Sequence, residues 1–277
     1  MKTKLLTALF LFALPVLLLG VSVPLAACVP TPTATPAPTG DLTVFAAASL
    51  TEAFTELGKQ FEAAHPGSTV IFNFAGSNSL AQQIGQAGPA DVFASANGAQ
   101  LLVAIGTGRI VSGTQQTFVR NRLVVIYPND NPGGVSALPD LAQPGLKVVL
   151  AAAEVPVGQY SLDFLDKAAA DAAFDPGFKE AVLANVVSYE DNVRAVLTKV
   201  ALGEADAGIV YSSDVTGDGA AAVTKLDIPD SLNTLANYPI AALNDSPHPA
   251  LAQAFVELVL SPEGQAVLAR YGFIPVK

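Results

Sequence analysis

Small polar residues at the ends of predicted strands are the residues of this chain that could bind a ligand. Leu42–Ala47 is short, apolar and bounded by Gly40, which is typical of a buried strand, and Ser49 follows it at the start of an amphipathic helical pattern. Such a junction leaves free N–H groups and a hydroxyl beside an open space, which suits an anion. Polar residues occupy three further junctions: Phe74–Leu80, Val155–Tyr160 and Glu190–Arg194.

Each of these polar residues also has a purely structural interpretation. Ser49 with Glu52 three residues later is typical of a capping box, and serine is a preferred cap residue, so Ser49 could simply begin a helix. Ser77 could likewise cap a helix that starts at Ser79. Tyr211 could lie at the edge of the core, with its hydroxyl bonded to the backbone. Spacing alone leaves these alternatives open.

The residue types that most enzymes need are sparse. The only histidines, His65 and His248, each lie beside a proline, and no carboxylate pair stands out from an ordinary solvated surface. The sequence has no nucleophile elbow, H-E-x-x-H motif, P-loop or dinucleotide-binding glycine motif. We therefore expect no catalytic residue, no enzymatic activity and no cofactor. A secreted hydrolase on an α/β scaffold is the alternative from another functional class.

The N-terminal segment Met1–Ala27 is typical of an export signal, with a basic start, a long apolar run and small residues at its end. The run is long enough for a membrane anchor, but Pro15, Gly20 and Pro24 interrupt it. The small residues before Cys28, the single cysteine, resemble a bacterial lipoprotein cleavage site. We expect Cys28 to be the lipidated first residue of the mature protein. An ordinary secretory signal with an incidental cysteine is the alternative.

The rest of the chain divides into a spacer and a folded part. Residues 28–40 form a Pro/Thr-rich linker after the cysteine, and its prolines favour an extended spacer. Without residues 1–27 the chain has 12 basic and 24 acidic residues, a net charge of −12, which argues against a nucleic-acid partner. From Asp41 to Lys277, short apolar runs alternate with amphipathic helical patterns. This alternation predicts an α/β fold with mainly parallel sheets.

The predicted elements follow from hydrophobic periodicity. Strands are predicted at Leu42–Ala47, Thr69–Phe74, Val92–Ser95, Arg122–Tyr127, Lys147–Ala151, Ala207–Tyr211 and Tyr238–Ala242. Helices are predicted at Thr51–His65, Ser79–Gln86, Gly98–Ile105, Gln159–Ala172, Pro176–Ala184, Val193–Leu202, Pro249–Leu260 and Pro262–Tyr271.

A series of short motifs resembles one known family. FAAASL, FAGSNSLAQQI, GPADVFASAN, EVPVGQY, NVR, GIVYSSD and ARYGF, in this order, are similar to the molybdate-binding proteins of ABC transporters. The match runs from about Leu42 to Phe273. The resemblance implies a two-lobed periplasmic-binding-protein fold of type II, with the two crossover strands Arg122–Tyr127 and Tyr238–Ala242 as the hinge. Lobe 1 would comprise residues 41–121 and 237–277, and lobe 2 residues 122–236.

The resemblance also implies which residues hold the ligand. Ser49 and Ser77 would donate hydroxyl and backbone N–H groups, Val157 and Val193 would donate backbone N–H groups, and Tyr211 would donate its phenolic hydroxyl. Molybdenum would be present only within the bound oxyanion, with no direct protein ligand to the metal. No lysine or arginine occupies these positions. The neighbouring Arg194 is expected to point away from the ligand.

The function implied by the resemblance is that of a receptor for an ABC importer. It would capture molybdate, and tungstate as well, and pass the oxyanion to the permease and its ATPase subunits. The protein would be an exported monomer, lipid-anchored through Cys28 to the outer face of the cell membrane or in a periplasm. A receptor for sulfate or another tetrahedral oxyanion is the alternative within the same class. An adhesion or structural domain would not need four polar junctions.

Overall fold

The computed structural model of the chain describes residues 39–216 and 221–276. The predicted signal segment, Cys28 and most of the linker lie outside the described residues. Within the described ranges, no helix combines the length and the apolar character that crossing a membrane requires.

The described residues form strands and helices that alternate over most of the chain. The strands are β1 Gly40–Ala47, β2 Ser68–Ala75, β3 Val92–Ala94, β4 Gln116–Asn121, β5 Leu123–Pro128, β6 Val148–Ala151, β7 Val186–Glu190, β8 Ala207–Tyr211, β9 Val223–Asp227, β10 Ala236–Ala242 and β11 Ile274–Pro275. The helices are α1 Thr51–Ala64, α2 Ser77–Gly85, α3 Gly98–Gly106, α4 Pro156–Ala169, α5 Phe178–Ala184, α6 Val193–Ala201, α7 Pro249–Leu260 and α8 Pro262–Arg270. All eight predicted helices are therefore present.

The strands form two sheets, which confirms the expected two-lobed α/β fold. One sheet has the order β11-β4-β10-β3-β1-β2, and the other has the order β7-β6-β8-β5-β9. The chain passes from the first sheet to the second between Asn121 and Leu123, and it returns between Asp227 and Ala236.

The sheets are mixed, whereas the sequence pattern predicted mainly parallel sheets. β1 pairs in parallel with β2 and β3, and β6 pairs in parallel with β7 and β8. β10 is antiparallel to β3 and β4, and β5 is antiparallel to β8 and β9. Parallel neighbours need a helical crossover, but β5 and β10 enter their sheets directly from the other sheet, so they run against their neighbours.

Helix α1 shows how the apolar pattern secures the first sheet. Its residues Phe54, Leu57 and Phe61 recur at helical spacing, and each is fully buried. The ring of Phe54 packs 5.8 Å from those of both Phe118 on β4 and Phe255 on α7. Burial of each such side chain contributes about 1.5–3 kcal/mol. This packing fixes the start of α1 beside the end of β1.

Candidate functional site

The four predicted junctions and the end of β8 meet at one pocket. The pocket is small, and its walls come from both sheets and the helices that follow them. All five predicted ligand residues line it: Ser49, Ser77, Val157, Val193 and Tyr211. The fold therefore brings together positions that are up to 162 residues apart in the sequence.

Ser49 does not act as the predicted helix cap. It lies inside a single 3₁₀ turn, Ala48–Leu50, and α1 begins only at Thr51, with no side chain capping its first turn. The capping-box prediction is wrong because this extra turn separates Ser49 from the helix that it was expected to cap. Instead, Ser49 is 4% exposed and its Oγ lies 2.9 Å from the hydroxyl of Tyr238.

Ser77 is the first residue of α2, after Gly76 at the N-cap, so it does not cap a helix starting at Ser79. Its Oγ accepts a hydrogen bond of 3.0 Å from the backbone N–H of Ala96. A serine hydroxyl has one proton and two acceptor lone pairs. The hydroxyl proton of Ser77 is therefore still available to a group in the pocket.

Val157 and Val193 place two helix starts against the pocket. Val157 follows Pro156 at the first turn of α4, and Val193 is the first residue of α6. Asn192 caps α6 by accepting a 3.0 Å hydrogen bond from the backbone N–H of Ala195. The first N–H groups of a helix have no intrahelical partner, and the helix dipole gives them partial positive charge. Both helix starts therefore favour an anion.

Tyr211 ends β8 and is 1% exposed. Its hydroxyl oxygen is buried and has no hydrogen-bond partner among the residues that the structure describes. Burial raises the pKa of Tyr211 well above its ordinary value of 10, so the phenol stays protonated. Because an unpaired buried hydroxyl is costly, its position at the pocket indicates that a ligand supplies the missing acceptor.

Charged side chains lie beside the pocket without entering it. Within the described ranges, neither lysine nor arginine lines the pocket. Arg194 forms an ion pair with Glu52 on α1, and its guanidinium lies 3.7 Å from Asp214 Oδ1. Burial raises the pKa of Asp214 to about 7, although Arg194 and the backbone N–H of Tyr211 oppose the shift. The pocket itself therefore presents neutral donors.

Direct contacts close the pocket between the parts built on the two sheets. Asn97 Nδ2 lies 3.4 Å from Gln159 Oε1, and Gln100 Nε2 donates to the carbonyl of Glu154 at 3.2 Å. At Gly76, a Cβ would lie 2.4 Å from the backbone oxygen of Asp191. These contacts join the two walls of the pocket in this structure.

Neither histidine reaches the pocket. His65 stacks on Phe61 with ring centroids 4.1 Å apart, and the ring of His248 lies against Gly40. Among the described residues, no cluster of three or more His, Cys, Asp or Glu side chains could hold a metal ion. The described residues that line the pocket are suited to hydrogen bonding.

Sequence reasoning did not identify the groups that support the two serines. Ala96 lies within the motif GPADVFASAN, but its backbone N–H was not singled out, and Tyr238 on β10 and Asn121 at the end of β4 belong to none of the motifs. Tyr238 lies within a strand that was predicted as a crossover, and nothing in its residue type or spacing marks it as a partner of Ser49.

Comparison with known proteins places the chain in a family. The family model described as bacterial extracellular solute-binding protein matches residues 42–274. The molybdate-binding protein ModA of Mycobacterium tuberculosis is 38% identical over 232 residues, which cover 84% of each chain. The protein named "Putative ABC transporter substrate-binding lipoprotein YvgL" of Bacillus subtilis is 30% identical over 237 residues, covering 84% of this chain and 85% of that one.

A solved structure agrees at the level of the fold. The periplasmic molybdate-binding protein of Azotobacter vinelandii superposes with a TM-score of 0.72 at 19% identity, over 85% of this chain and all of that one. The family is one of binding proteins, which agrees with the expectation of a receptor rather than an enzyme. Because the family model matches residues 42–274, most of this chain, the chain belongs to the bacterial extracellular solute-binding proteins.

Proposed function

We propose that the protein is the receptor of an ABC importer and that it captures molybdate, and also tungstate, in this pocket. The observation that carries the proposal is the buried hydroxyl of Tyr211, which faces the pocket without a partner among the described residues. The motifs around the pocket resemble those of molybdate-binding proteins, and a relative 38% identical to this chain has that name.

The donor set is suited to a tetrahedral dianion. Three hydroxyls and at least two helix-start N–H groups surround the pocket: those of Ser49, Ser77, Tyr211, Val157 and Val193. A hydrogen bond to a charged group contributes about 1.5–3 kcal/mol, so several of them offset the loss of the anion's hydration shell. Without a counterion in the pocket, ligand size and donor placement decide which anion binds.

We further propose that the pocket opens and closes by a hinge between two lobes. Lobe 1 comprises residues 41–121 and 237–277, and lobe 2 comprises residues 122–236. The two passages of the chain between the sheets, at Asn121–Leu123 and Asp227–Ala236, support these boundaries. In this proposal the receptor acts as a monomer, and closure traps the anion until the permease and its ATPase subunits receive it.

We propose that Cys28 anchors the mature protein to the outer face of the cell membrane or in a periplasm. The basic and apolar segment before it and the spacer at residues 28–40 support an anchor. The printed name of the Bacillus subtilis relative also includes the word lipoprotein. Radioactive fatty acid should label the wild-type protein and leave a Cys28→Ala variant unlabelled; equal labelling of both would contradict the anchor.

Calorimetric titration tests the choice of ligand. Molybdate and tungstate should bind, and the smaller sulfate should bind at least tenfold more weakly, because it cannot reach all the donors of a pocket sized for molybdate. Phosphate serves as a second comparison anion. Sulfate binding as tight as molybdate binding would end the specificity claim, and no binding of any of these anions would end the proposed function.

A further inference from the structure

The hydroxyl of Ser49 belongs to a buried chain of hydrogen bonds that begins outside the pocket. Ser49 Oγ lies 2.9 Å from the hydroxyl of Tyr238, whose oxygen lies 3.4 Å from Asn121 Nδ2. Tyr238 and Asn121 are both 0% exposed, and neither lines the pocket. Within this chain of hydrogen bonds, Ser49 is the residue that lines the pocket and can contact a ligand.

The orientation of the Asn121 amide follows from its neighbours. The backbone N–H of Arg122 can only donate, and it donates to Asn121 Oδ1 at 3.0 Å. The hydroxyl of Ser212 donates to the same oxygen at 3.0 Å. The amide nitrogen must then face the other side, where it lies 2.8 Å from Ser213 Oγ and within reach of Tyr238. Asn121 is therefore a donor to the tyrosine oxygen.

The single hydroxyl proton of Tyr238 has only one acceptor left. By distance and angle, the hydrogen-bond partners of the tyrosine oxygen among the described residues are Asn121 and Ser49, and the neighbouring Tyr211 hydroxyl is not paired with it. Because Asn121 donates, the proton of Tyr238 is satisfied only if it points to Ser49 Oγ. The reverse direction would leave a fully buried proton unpaired, which is unfavourable.

We propose that Tyr238, held by Asn121, is a positioning residue that orients the Ser49 hydroxyl so that its proton points into the pocket. This inference rests on the proposed function, because the proton is then ready for an anion oxygen. Ser77 reaches the same state by a different route, since its oxygen accepts from the backbone N–H of Ala96. Both serine hydroxyls are thus oriented as donors to the pocket before a ligand binds.

The variant Tyr238→Phe isolates the hydroxyl. It keeps the ring that packs at 5.7 Å from the ring of Tyr211 and at 6.4 Å from that of Phe118. Titration of molybdate into the full chain should show binding roughly 3- to 10-fold weaker than in the wild type. Tyr189→Phe, which alters an exposed tyrosine on β7, is the matched control and should bind like the wild type.

A double-mutant cycle separates positioning from a general structural effect. In a Ser49→Ala background, Tyr238→Phe should cause no further loss of affinity, because there is no hydroxyl left to orient. In a Ser77→Ala background it should cause the full loss again. Equal losses in both backgrounds, or wild-type affinity for Tyr238→Phe alone, would overturn the positioning role.

A measurement on the ligand-free wild-type chain covers the case in which a variant does not fold or no anion binds. In an NMR spectrum, the hydroxyl proton of Tyr238 should exchange slowly and show a nuclear Overhauser effect to the β protons of Ser49. A rapidly exchanging Tyr238 proton without that effect would contradict the proposal. Because this experiment contains no molybdate, it distinguishes failure of the orientation from failure of the proposed function.

Discussion

Tyr211 combines a fully buried ring with a hydroxyl that finds no partner in the described part of the chain. An unpaired buried hydroxyl destabilises the ligand-free protein, whereas the same hydroxyl stabilises the complex once it donates to a ligand. The same side chain should therefore have opposite effects on stability and on binding.

We predict that Tyr211→Phe weakens molybdate binding by about 1–3 kcal/mol, because a donor to the anion is lost. The ligand-free variant should unfold at the same temperature as the wild type or at a higher one, because an unpaired buried hydroxyl has been removed. Calorimetric titration and thermal unfolding without ligand measure the two effects. Unchanged affinity would remove Tyr211 from the site.

At the residue scale, residue types and spacing pointed only to the two serines. Ser49 and Ser77 could be proposed from their types and junctions, whereas Tyr211 lies at no predicted junction, and Val157 and Val193 offer main-chain N–H groups that no side-chain pattern reveals. The resemblance to a family supplied them. Ser49 was found for the wrong local reason, since a 3₁₀ turn replaces the capping box.

Helices α1 and α6 and the end of β8 are joined by a charge cluster in which Asp214 is buried and Arg194 and Glu52 are partly exposed. Arg194 on α6 pairs with Glu52 on α1 and lies 3.7 Å from Asp214, which follows β8. Asp214 also accepts the backbone N–H of Tyr211 at 3.0 Å. Its carboxyl therefore affects the position of the strand end that presents Tyr211 to the pocket.

The raised pKa of Asp214 predicts a pH dependence of stability. Its pKa is about 7 in the folded protein against 3.8 for an ordinary aspartate, so between these values the folded state holds a proton that the unfolded state has released. The free energy of unfolding should therefore fall as the pH rises from about 4 to about 7, and this contribution should level off above that.

Urea unfolding of the wild type and of Asp214→Asn at pH 5, 6, 7 and 8 measures this contribution. The asparagine cannot titrate, so the wild type should lose stability relative to the variant as the pH rises through this range. A constant difference between the two proteins across the four pH values would contradict the raised pKa.

At the element scale, the helices were easier to predict from sequence than the strands. Eight amphipathic patterns gave eight helices, with α7 correct at both ends. Four strands were missed. β7 and β9 are edge strands, and β4 is followed at its edge by the two-residue β11, so polar residues on partly exposed faces interrupt their apolar runs, while β11 is too short to give a pattern. Propensity and periodicity report burial, and edge strands are buried on too few sides to give a clear signal.

On the scale of the whole molecule, Gly76 sets how closely the two halves approach. A Cβ at this position would lie 2.4 Å from the backbone oxygen of Asp191, which belongs to the half built on the second sheet. The φ angle of Gly76 is −59°, which any residue adopts, and the other close atom, Asn78 Oδ1 at 2.7 Å, ends a side chain that can move aside, so alanine would be strained mainly by the backbone of Asp191. Substitution therefore tests closure without disturbing the local backbone.

We predict that Gly76→Ala keeps the pocket from closing and weakens molybdate binding at least tenfold, while the ligand-free protein remains folded. Small-angle scattering should show the wild type contracting when molybdate is added and the variant contracting less. Gly98→Ala is the matched control, because no atom lies within 4 Å of its added Cβ. Equal contraction and equal affinity in Gly76→Ala would contradict this role.

The presence of helix starts in the pocket wall has a consequence for how its selectivity could change. The N–H groups of Val157 and Val193 survive almost any side-chain replacement, so point substitutions there alter the lining while leaving the donors in place. Redirecting this receptor to an anion of another size would require the starts of α4 and α6 to shift. Two of the five proposed donors therefore depend on the course of the main chain and, unlike the three hydroxyls, cannot be removed by exchange of single side chains.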